Sequence, residues 1–354
     1  MSNLIKTSIY MCLSGYIAVI NSMYFPFIPI ISCQDDAISI PYKYTPLKLV
    51  HSIPPENTNL FSEAFSLGKF SDDSIAILDR KGQCIRVVDL RGKELATWGK
   101  EGRGNGEFLS PVAIAISSND IVYVSDLRNM KIQLFNQNGK TLNSFMDYKG
   151  LICFNIGSSN LIYETTFALN NANDYLRIYD HMGKLLKRVQ FPENSVYVEM
   201  KSGFFPRPLI SSDRVFVINR NYTYIQMFSL SGEFIDEYEI IDARFRMRNI
   251  CNRIRQQKSD LPIYGTEIIG GIAGGGGIQQ LLNDYVVNIN INDKGLDFLR
   301  FNIKGQVVED YYYRYPEIIE ILDYTLIDKG DLFYIVCIVS KPYYRLLVLA
   351  PPRS

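Results

Sequence analysis

Histidine and paired cysteines are scarce in this chain, and their scarcity argues against several kinds of site. Only two histidines, His51 and His181, occur in 354 residues, which weakens any multi-histidine metal site or histidine-based catalytic triad. The six cysteines include no CxxC pair and no cysteine–histidine pair at metal-ligand spacing. Because Cys12 and Cys33 lie in the apolar N-terminus, the sequence predicts buried free thiols, and no zinc site, at the other four. These four are Cys84, Cys153, Cys251 and Cys337.

The chain also lacks an excess of charge of either sign. Lysine plus arginine and aspartate plus glutamate both total 37, so the composition does not indicate nucleic acid as a partner. A helix-forming composition is missing too, since 24 tyrosines and 20 phenylalanines accompany many isoleucines and valines. Such residues favour half-buried strands. We therefore predict an all-β fold.

The N-terminus carries an uncharged apolar segment, Thr7–Ser32, which is typical of a secretory signal peptide. It ends in Ile30-Ile31-Ser32-Cys33, which resembles a bacterial lipobox. The resemblance implies that residues 1–32 are a lipoprotein-type signal peptide, that Cys33 is lipidated and that residues 33–43 form a linker. It also implies an outer-membrane lipoprotein, held at the membrane by its lipid on the periplasmic side or the cell surface. The alternatives are an uncleaved anchor helix and a plain signal peptide, and all of them place the body of the protein outside the cytoplasm.

A strand–turn pattern begins after this segment and is clearest near the first third of the chain. Turn residues separate four short apolar segments there, and about 35 residues of this kind make one antiparallel blade of a propeller. The predicted strands are Val112–Ile116, Ile121–Val124, Ile132–Phe135 and Thr141–Phe145.

A glycine-containing hairpin closes each repeat. The tight turn before the fourth strand needs a positive φ, which glycine adopts without a steric penalty. The glycines are 44 to 49 residues apart in the first four copies and 73 residues apart before the fifth, so the spacing predicts propeller blades with one insertion. The hairpins are DLRGKEL, NQNGKTL, DHMGKLL, SLSGEFI and NIKGQVV, with glycines at Gly92, Gly139, Gly183, Gly232 and Gly305.

The two ends of the repeat region predict a closed ring. A sixth unit, Ile318–Leu349, shows three strands and no glycine hairpin. Leu47–Ile53, by contrast, is a predicted strand that belongs to none of the repeat units. Pairing the two removes the exposed edges of an open array. We therefore predict a six-bladed β-propeller of four-stranded antiparallel blades over residues 44–354, closed by the N-terminal strand. Residues 241–266 form the predicted insertion, and the spacing of their apolar residues favours a helix.

One stretch carries a motif beyond the general blade pattern. From Gly102 to Lys140 the chain reads GRGNGEFLSPVAIAISSNDIVYVSDLRNMKIQLFNQNGK. The glycine-rich lead, Gly-x-Phe, V-Y-V-x-D, K-I-Q-x-F and N-G-K of this stretch resemble the NHL repeat. With its lipobox, the whole chain resembles the six-bladed propeller lipoproteins of gut-type Gram-negative bacteria. The resemblance implies that Asp126 belongs to a turn and not to a catalytic site.

The loops that join second to third strands are predicted to share a face with the starts of the innermost strands, at the mouth of the central channel. Five of these six loops carry a cation, which favours a face that attracts anionic or hydroxyl-rich ligands, with tyrosines as stacking surfaces. Arg207, between two prolines, is predicted to face the channel. The alternatives are a solvated rim and, for Arg207, a local salt bridge. The candidate binding residues are Arg80, Arg128, Asn129, Arg207, Arg220, Tyr222, Lys341 and Tyr343.

No residue set in the sequence indicates a catalytic centre. We therefore predict a non-catalytic, extracytoplasmic propeller without a cofactor that binds a glycan, a peptide or a cell-envelope protein. The alternative is a calcium-dependent lactonase, hydrolase or lyase that uses the channel, because six-bladed propellers include enzymes of these kinds. A zinc-dependent lyase would need several histidines near the channel. A calcium site would need converging carboxylates and amides, for which Glu63, Asn155 and Asp284 are candidates that no spacing links.

Overall fold

A computed structural model of the chain describes most of the predicted propeller and little of the N-terminus. The chain divides into two compact units, residues 1–41 and 42–354. In the first unit β1 (Tyr10–Leu13) pairs with β2 (Tyr16–Val19) in an antiparallel hairpin. The residues that the structure describes are 10–13, 16–19, 43–54, 60–147, 151, 153–165, 174–190, 207–218, 224–239, 278–288, 295–316, 319, 321–340 and 343–352.

The second unit is an all-β, six-bladed propeller, as the repeat spacing predicted. Each blade is an antiparallel sheet whose strands follow one another from the channel outward. The first blade consists of β5 (Ala64–Lys69), β6 (Ile75–Asp79), β7 (Cys84–Val88) and β8 (Glu94–Trp98). The second consists of β11 (Pro111–Ile116), β12 (Val122–Asp126), β13 (Lys131–Phe135) and β14 (Thr141–Met146). The third consists of β15 (Phe154–Ile156), β16 (Ile162–Thr165), β17 (Asp174–Tyr179) and β18 (Leu185–Gln190). The fourth blade consists of β19 (Leu209–Ile210), β20 (Arg214–Ile218), β21 (Tyr224–Ser229) and β22 (Phe234–Glu239). The fifth consists of β23 (Ile278–Leu281), β24 (Asp284–Asn288), β25 (Gly295–Phe301) and β26 (Val307–Arg314). The sixth consists of β27 (Ile321–Asp328), β28 (Phe333–Val339), β29 (Arg345–Ala350) and β4 (Lys48–Ile53).

The ring closes through the N-terminal strand, which confirms the predicted pairing. β4 lies antiparallel to β29, with Ile53 opposite Leu346 and Lys48 opposite Ala350. The preceding strand, β3 (Lys43–Pro46), was not predicted, and it pairs parallel with β26 as a fifth strand of the fifth blade. Between the first two blades, β9 (Lys100–Glu101) pairs parallel with β10 (Glu107–Phe108) in the glycine-rich lead. The consecutive strands β3 and β4 thus add to two neighbouring blades, the fifth and the sixth.

Apolar side chains between adjacent blades form the core. The innermost strands contact one another in chain order, and β27 contacts β5 to complete the circle. The interface between the first and second blades is typical, because Leu78 and Ile85 of the first pack with Ile114, Val124 and Phe135 of the second. These strands are buried on both faces, so they appear in the sequence as apolar runs and not as an alternating pattern.

The hairpin glycines are required by both backbone and packing. All five have φ between 75° and 86°, which confirms the prediction. At Gly139 an added Cβ would lie 2.2 Å from Cγ of Trp98, in the outer strand of the preceding blade. Gly92, Gly183 and Gly232 are likewise close to the outer strand of the blade before them. The glycine therefore lets each hairpin pack closely against its neighbour.

Several sequence predictions fall outside the described residues. Among them are Cys33, Cys251 and the insertion over residues 241–266, whose predicted helix is therefore not assigned. The described residues contain no helix, and accordingly none there is long and apolar enough to cross a membrane. Cys84, Cys153 and Cys337 are buried free cysteines, as predicted.

Candidate functional site

The channel mouth is the face where the innermost strands begin and where second strands lead into third strands. Backbone hydrogen bonds bring these two sets of segments together, as predicted. The amide of Arg80 donates to the carbonyl of Glu63 at 2.9 Å, and that of Leu127 donates to Ser110 at 3.0 Å. The described candidate residues in these segments therefore belong to one face of the propeller.

Asp126 fixes this geometry in the second blade. Its carboxylate is 1% exposed and accepts hydrogen bonds from the amides of Leu109 and Ser110, both at 2.8 Å, just before the innermost strand. Asp79 holds Ser62 and Glu63 in the first blade in the same way, at 2.9 and 2.8 Å. The turn role that the NHL resemblance implied for Asp126 is confirmed.

Arg207 crosses the channel. It lies just before β19 in the fourth blade, opposite the first blade in a ring of six. Its Nη2 donates to Oγ of Ser66 at 2.9 Å and to Oδ2 of Asp323 at 3.2 Å, and its Nη1 donates to the carbonyl of Leu67 at 3.3 Å. Arg207 thus extends towards the innermost strands of other blades, and its salt bridge is not local, because Asp323 lies on β27 of the sixth blade. This cluster of Arg207, Ser66 and Asp323 is called the channel bridge below.

Asp323 is the buried partner of the channel bridge. Its side chain is fully buried, whereas 12% of the Arg207 side chain is exposed. It also accepts hydrogen bonds from the amides of Leu67 and Tyr324, both at 2.9 Å, and from Ser66 at 3.1 Å. Burial raises the pKa of Asp323 to about 6, while Arg207 and these hydrogen bonds oppose the rise. Near neutral pH the carboxyl group is therefore ionised and close to its titration range.

Cys153 lies close enough to the channel bridge to experience its charges. Burial raises the pKa of the thiol to about 12, and the positive charge of Arg207 opposes that rise. Glu164, whose charge adds to the rise, accepts a hydrogen bond from the hydroxyl of Tyr179 at 2.7 Å. Since a thiolate is the reactive form of cysteine, Cys153 is a neutral, unreactive thiol at physiological pH.

Two predicted binding residues instead stabilise the mouth. Arg80 is ion-paired with Glu63 through Nε and Oε2 at 3.1 Å, and its guanidinium lies 4.2 Å from the ring centroid of Phe65. Asn129 donates from Nδ2 to Asp126 at 2.7 Å and to the carbonyl of Gly102 at 3.0 Å. Both side chains are therefore committed to internal contacts.

Arg128 differs from its neighbours in the mouth. Its side chain is exposed, and no hydrogen bond or ion pair joins it to another residue in the part of the chain that the structure describes. The turn that carries it is fixed by Asp126 and Asn129, whose amide donates to Asp126 at 3.3 Å. Arg128 is thus an available cation on a rigid turn.

Of the four remaining candidate binding residues, the structure describes only Tyr343. The ring of Tyr343 lies 4.8 Å from the guanidinium of Arg345, so this tyrosine stacks on a residue of its own chain. Arg220, Tyr222 and Lys341 lie outside the described residues.

The three candidate calcium ligands are not brought together. Glu63 precedes an innermost strand and pairs with Arg80, whereas Asp284 begins a second strand, at the opposite end of the channel, and pairs with Arg300 at 2.7 Å. Asn155 donates to the carbonyl of Pro208 at 3.2 Å. Among the described residues, no group of three histidine, cysteine, aspartate or glutamate side chains is placed to hold a metal ion.

Comparisons with known proteins show the fold of this chain and not its activity. No protein-family model and no curated protein matches the sequence. A Bacteroides fragilis protein named as exported is similar in structure, with a TM-score of 0.54 and 11% identity over 87% of this chain and 95% of that one. A member of the DUF4221 family from Bacteroides vulgatus has a TM-score of 0.53 and 8% identity over 87% and 99% of the two chains.

Sequence reasoning missed the partners that hold the site together. Ser66 and Asp323 lie 141 and 116 residues from Arg207, and only their polar character in otherwise apolar innermost strands singles them out. Arg345 was missed as well, although it begins the apolar run RLLVLA and is fully buried. A charged residue at a strand position that should be apolar is the signal that identifies both Asp323 and Arg345.

Proposed function

We propose that this protein is an extracytoplasmic, non-catalytic propeller that recognises an anionic or hydroxyl-rich ligand at the channel mouth. A glycan or a cell-envelope partner of this chemistry would fit. The observation that carries the proposal is Arg128, an exposed guanidinium on a turn held by Asp126 and Asn129, with no partner among the described residues. Because the turn is already held in place, binding orders only the side chain, and the unpaired guanidinium can form a strong charge-assisted hydrogen bond.

The channel bridge favours recognition at the mouth over chemistry deep in the channel. Arg207 spans from the fourth blade to the first and sixth, and its contacts to Ser66 and Asp323 occupy the space near the channel axis. The partly exposed guanidinium is paired with the ionised carboxylate of Asp323, so the channel bridge adds no net charge beneath the mouth. A ligand would therefore rest on the mouth, with Arg128 as its charged contact.

Localisation in the cell envelope is part of the same proposal. The uncharged segment before Cys33, and its likeness to a lipobox, support export followed by lipidation of Cys33. The exported Bacteroides fragilis protein of similar fold is consistent with that location. We propose an outer-membrane lipoprotein whose blades descend from NHL-type repeats.

Charge reversal at Arg128 tests the binding proposal. We expect Arg128→Glu to weaken retention on acidic glycans or envelope proteins by about tenfold or more, because one charge-assisted hydrogen bond is lost and a repulsion is added. The matched control is Arg91→Glu, since Arg91 is also exposed but lies in the β7–β8 hairpin on the opposite face. Equal retention of both variants and the unaltered protein across the panel would contradict mouth recognition.

A separate experiment tests the anchor. Cys33→Ala should abolish metabolic incorporation of labelled fatty acid and release the protein from the membrane fraction. A variant that stays membrane-bound with an unchanged mass would show that Cys33 is not the lipidation site.

A further inference from the structure

Arg345 is a charged side chain in an apolar environment. It begins β29, opposite Val339 of β28, and it is fully buried. The rings of Tyr315, which follows the fifth blade, and Tyr343 each lie 4.8 Å from its guanidinium carbon. Arg345 therefore lies between the fifth and sixth blades. It is on the third strand of its blade, counted outward from the channel, and so lies away from the channel axis.

At least three of the five N–H donors of this guanidinium are unused, because Nε carries one and Nη2 carries two. Nη1 donates to the hydroxyl of Tyr315 at 3.1 Å, but Nε and Nη2 are buried without a hydrogen-bond partner. No ion pair joins Arg345 to a carboxylate among the described residues. Nε and Nη2 lie on the same edge of the guanidinium plane, and this edge matches the two oxygens of a carboxylate.

Arg314, at the end of β26, is a partly exposed arginine that is also stacked on a tyrosine and has a carboxylate partner. Its guanidinium stacks on Tyr312 at 5.0 Å, and its Nη1 and Nη2 donate to the two oxygens of Asp297 at 3.0 and 2.9 Å. At Arg345 the aromatic contacts are present and the carboxylate is not. Stacking on tyrosine offsets only part of the cost of burying an unpaired cation.

We propose that Arg345 is the anchor of a small-carboxylate binding site between the fifth and sixth blades. The carboxylate accepts from Nε and Nη2 in the plane of the guanidinium, with Tyr315 and Tyr343 against the faces of the pair. This site shares Tyr343 with the candidate residues of the mouth, but it lies between two blades and does not rest on the function proposed for Arg128.

The surroundings define the size and shape of the ligand. Because Arg345 is fully covered, the ligand is small, and binding waits for a local opening of the cover, so association is slower than diffusion. We expect a planar carboxylate to be preferred over tetrahedral sulfate or phosphate, because its two oxygens lie in one plane and match the Nε–Nη2 edge of the guanidinium. Acetate is therefore the appropriate probe, with sulfate as the shape comparison.

Thermal unfolding of the full chain in sodium acetate, sodium sulfate or sodium chloride at equal ionic strength tests the site. We expect acetate, at about 100 times its Kd, to raise the Tm by about 5 °C relative to chloride, and sulfate to raise it less. Arg345→Met should abolish the acetate-specific rise. Arg345→Lys keeps the charge but lacks the fork, so it should weaken acetate binding about tenfold or more and provides a second, more conservative variant.

Arg314→Met is the matched control and should keep the acetate response, because its fork is already filled by Asp297. The proposal is overturned if acetate and chloride give the same Tm in the unaltered protein, if the acetate rise persists in Arg345→Met, or if it is undiminished in Arg345→Lys. It is also overturned if acetate raises the Tm only after Glu317→Gln or Glu320→Gln has been introduced. That result would identify a carboxylate of the chain itself as the partner.

Discussion

The ionisation of Asp323 in the channel bridge predicts a specific dependence of stability on pH. Two effects act on this carboxyl group in opposite directions, since burial raises its pKa and the Arg207 cation lowers it. Burial has the larger effect because the side chain is fully buried, and the pKa rises from 3.8 to about 6. Replacing the group by Asp323→Asn removes the titration and keeps the shape.

The sign of the effect follows from the direction of the shift. Because the folded pKa lies above the unfolded one, the native state binds the proton more tightly, and the stabilisation is fully present below the unfolded pKa. It is lost as the pH rises from about 4 to about 6. A shift of roughly two units corresponds to about 3 kcal/mol.

Urea unfolding of the unaltered protein and of Asp323→Asn from pH 4 to pH 7.5 measures this contribution, because other titrations cancel in the difference. We expect the unaltered protein to lose about 2 to 3 kcal/mol relative to the variant across this range. In an Arg207→Met background the titration should move to higher pH, since the opposing cation is gone. A difference that is constant, or that favours the unaltered protein more as the pH rises, would refute the dominance of burial.

Three further predictions follow from the described contacts. Gly139→Ala should destabilise the protein by about 2 to 4 kcal/mol, because its φ is positive and the new Cβ clashes with Trp98. The control Gly330→Ala has a φ of 77° and no atom within 4 Å of the new Cβ, so it should cost about 1 kcal/mol. Equal costs by urea unfolding would contradict the packing argument. Ile53→Ala should lower the free energy of unfolding in urea by about 2 to 5 kcal/mol, because β4 closes the ring with this buried side chain. Val50 on the same strand is exposed, so Val50→Ala should change the free energy of unfolding little. A small effect at Ile53 would show that ring closure contributes little to stability. Melting curves in calcium and in chelator should coincide, because the three candidate ligands are engaged elsewhere, and a large rise in calcium would favour the hydrolase alternative.

The blades were predictable because their signals are local. The strands predicted in the second blade agree with the observed ones within two residues, and β4 lies where the strand without a unit was found. Each signal, an apolar run or a glycine at a tight turn, acts over a few residues and recurs once per blade. β3 was not predicted because a parallel partner strand leaves no turn signal in the adjoining sequence.

The candidate site was predictable only in part. The position of Arg207 between prolines, before an innermost strand, indicated a place in the channel, and the mouth loops share the predicted face. The roles of Arg80 and Asn129 were not visible, because their side chains are bound by Glu63 and Asp126. Identical-looking loop cations therefore differ in availability. Among those described, Arg128 and Lys81 form no side-chain hydrogen bond or ion pair, whereas Arg80 is paired with Glu63.

The sequence by itself determined the fold class, the number of blades, the closing strand and the hairpin glycines, because the period of a repeat and the φ of a turn depend on neighbours along the chain. Only the tertiary structure decided which charges are compensated. Arg207 meets Asp323 across the channel, Arg314 meets Asp297 across a strand pair, and Arg345 meets two tyrosines but no carboxylate in the part of the chain that the structure describes. The energy of a buried charge depends on groups within a few ångströms in space, and in a closed ring those groups come from distant parts of the sequence.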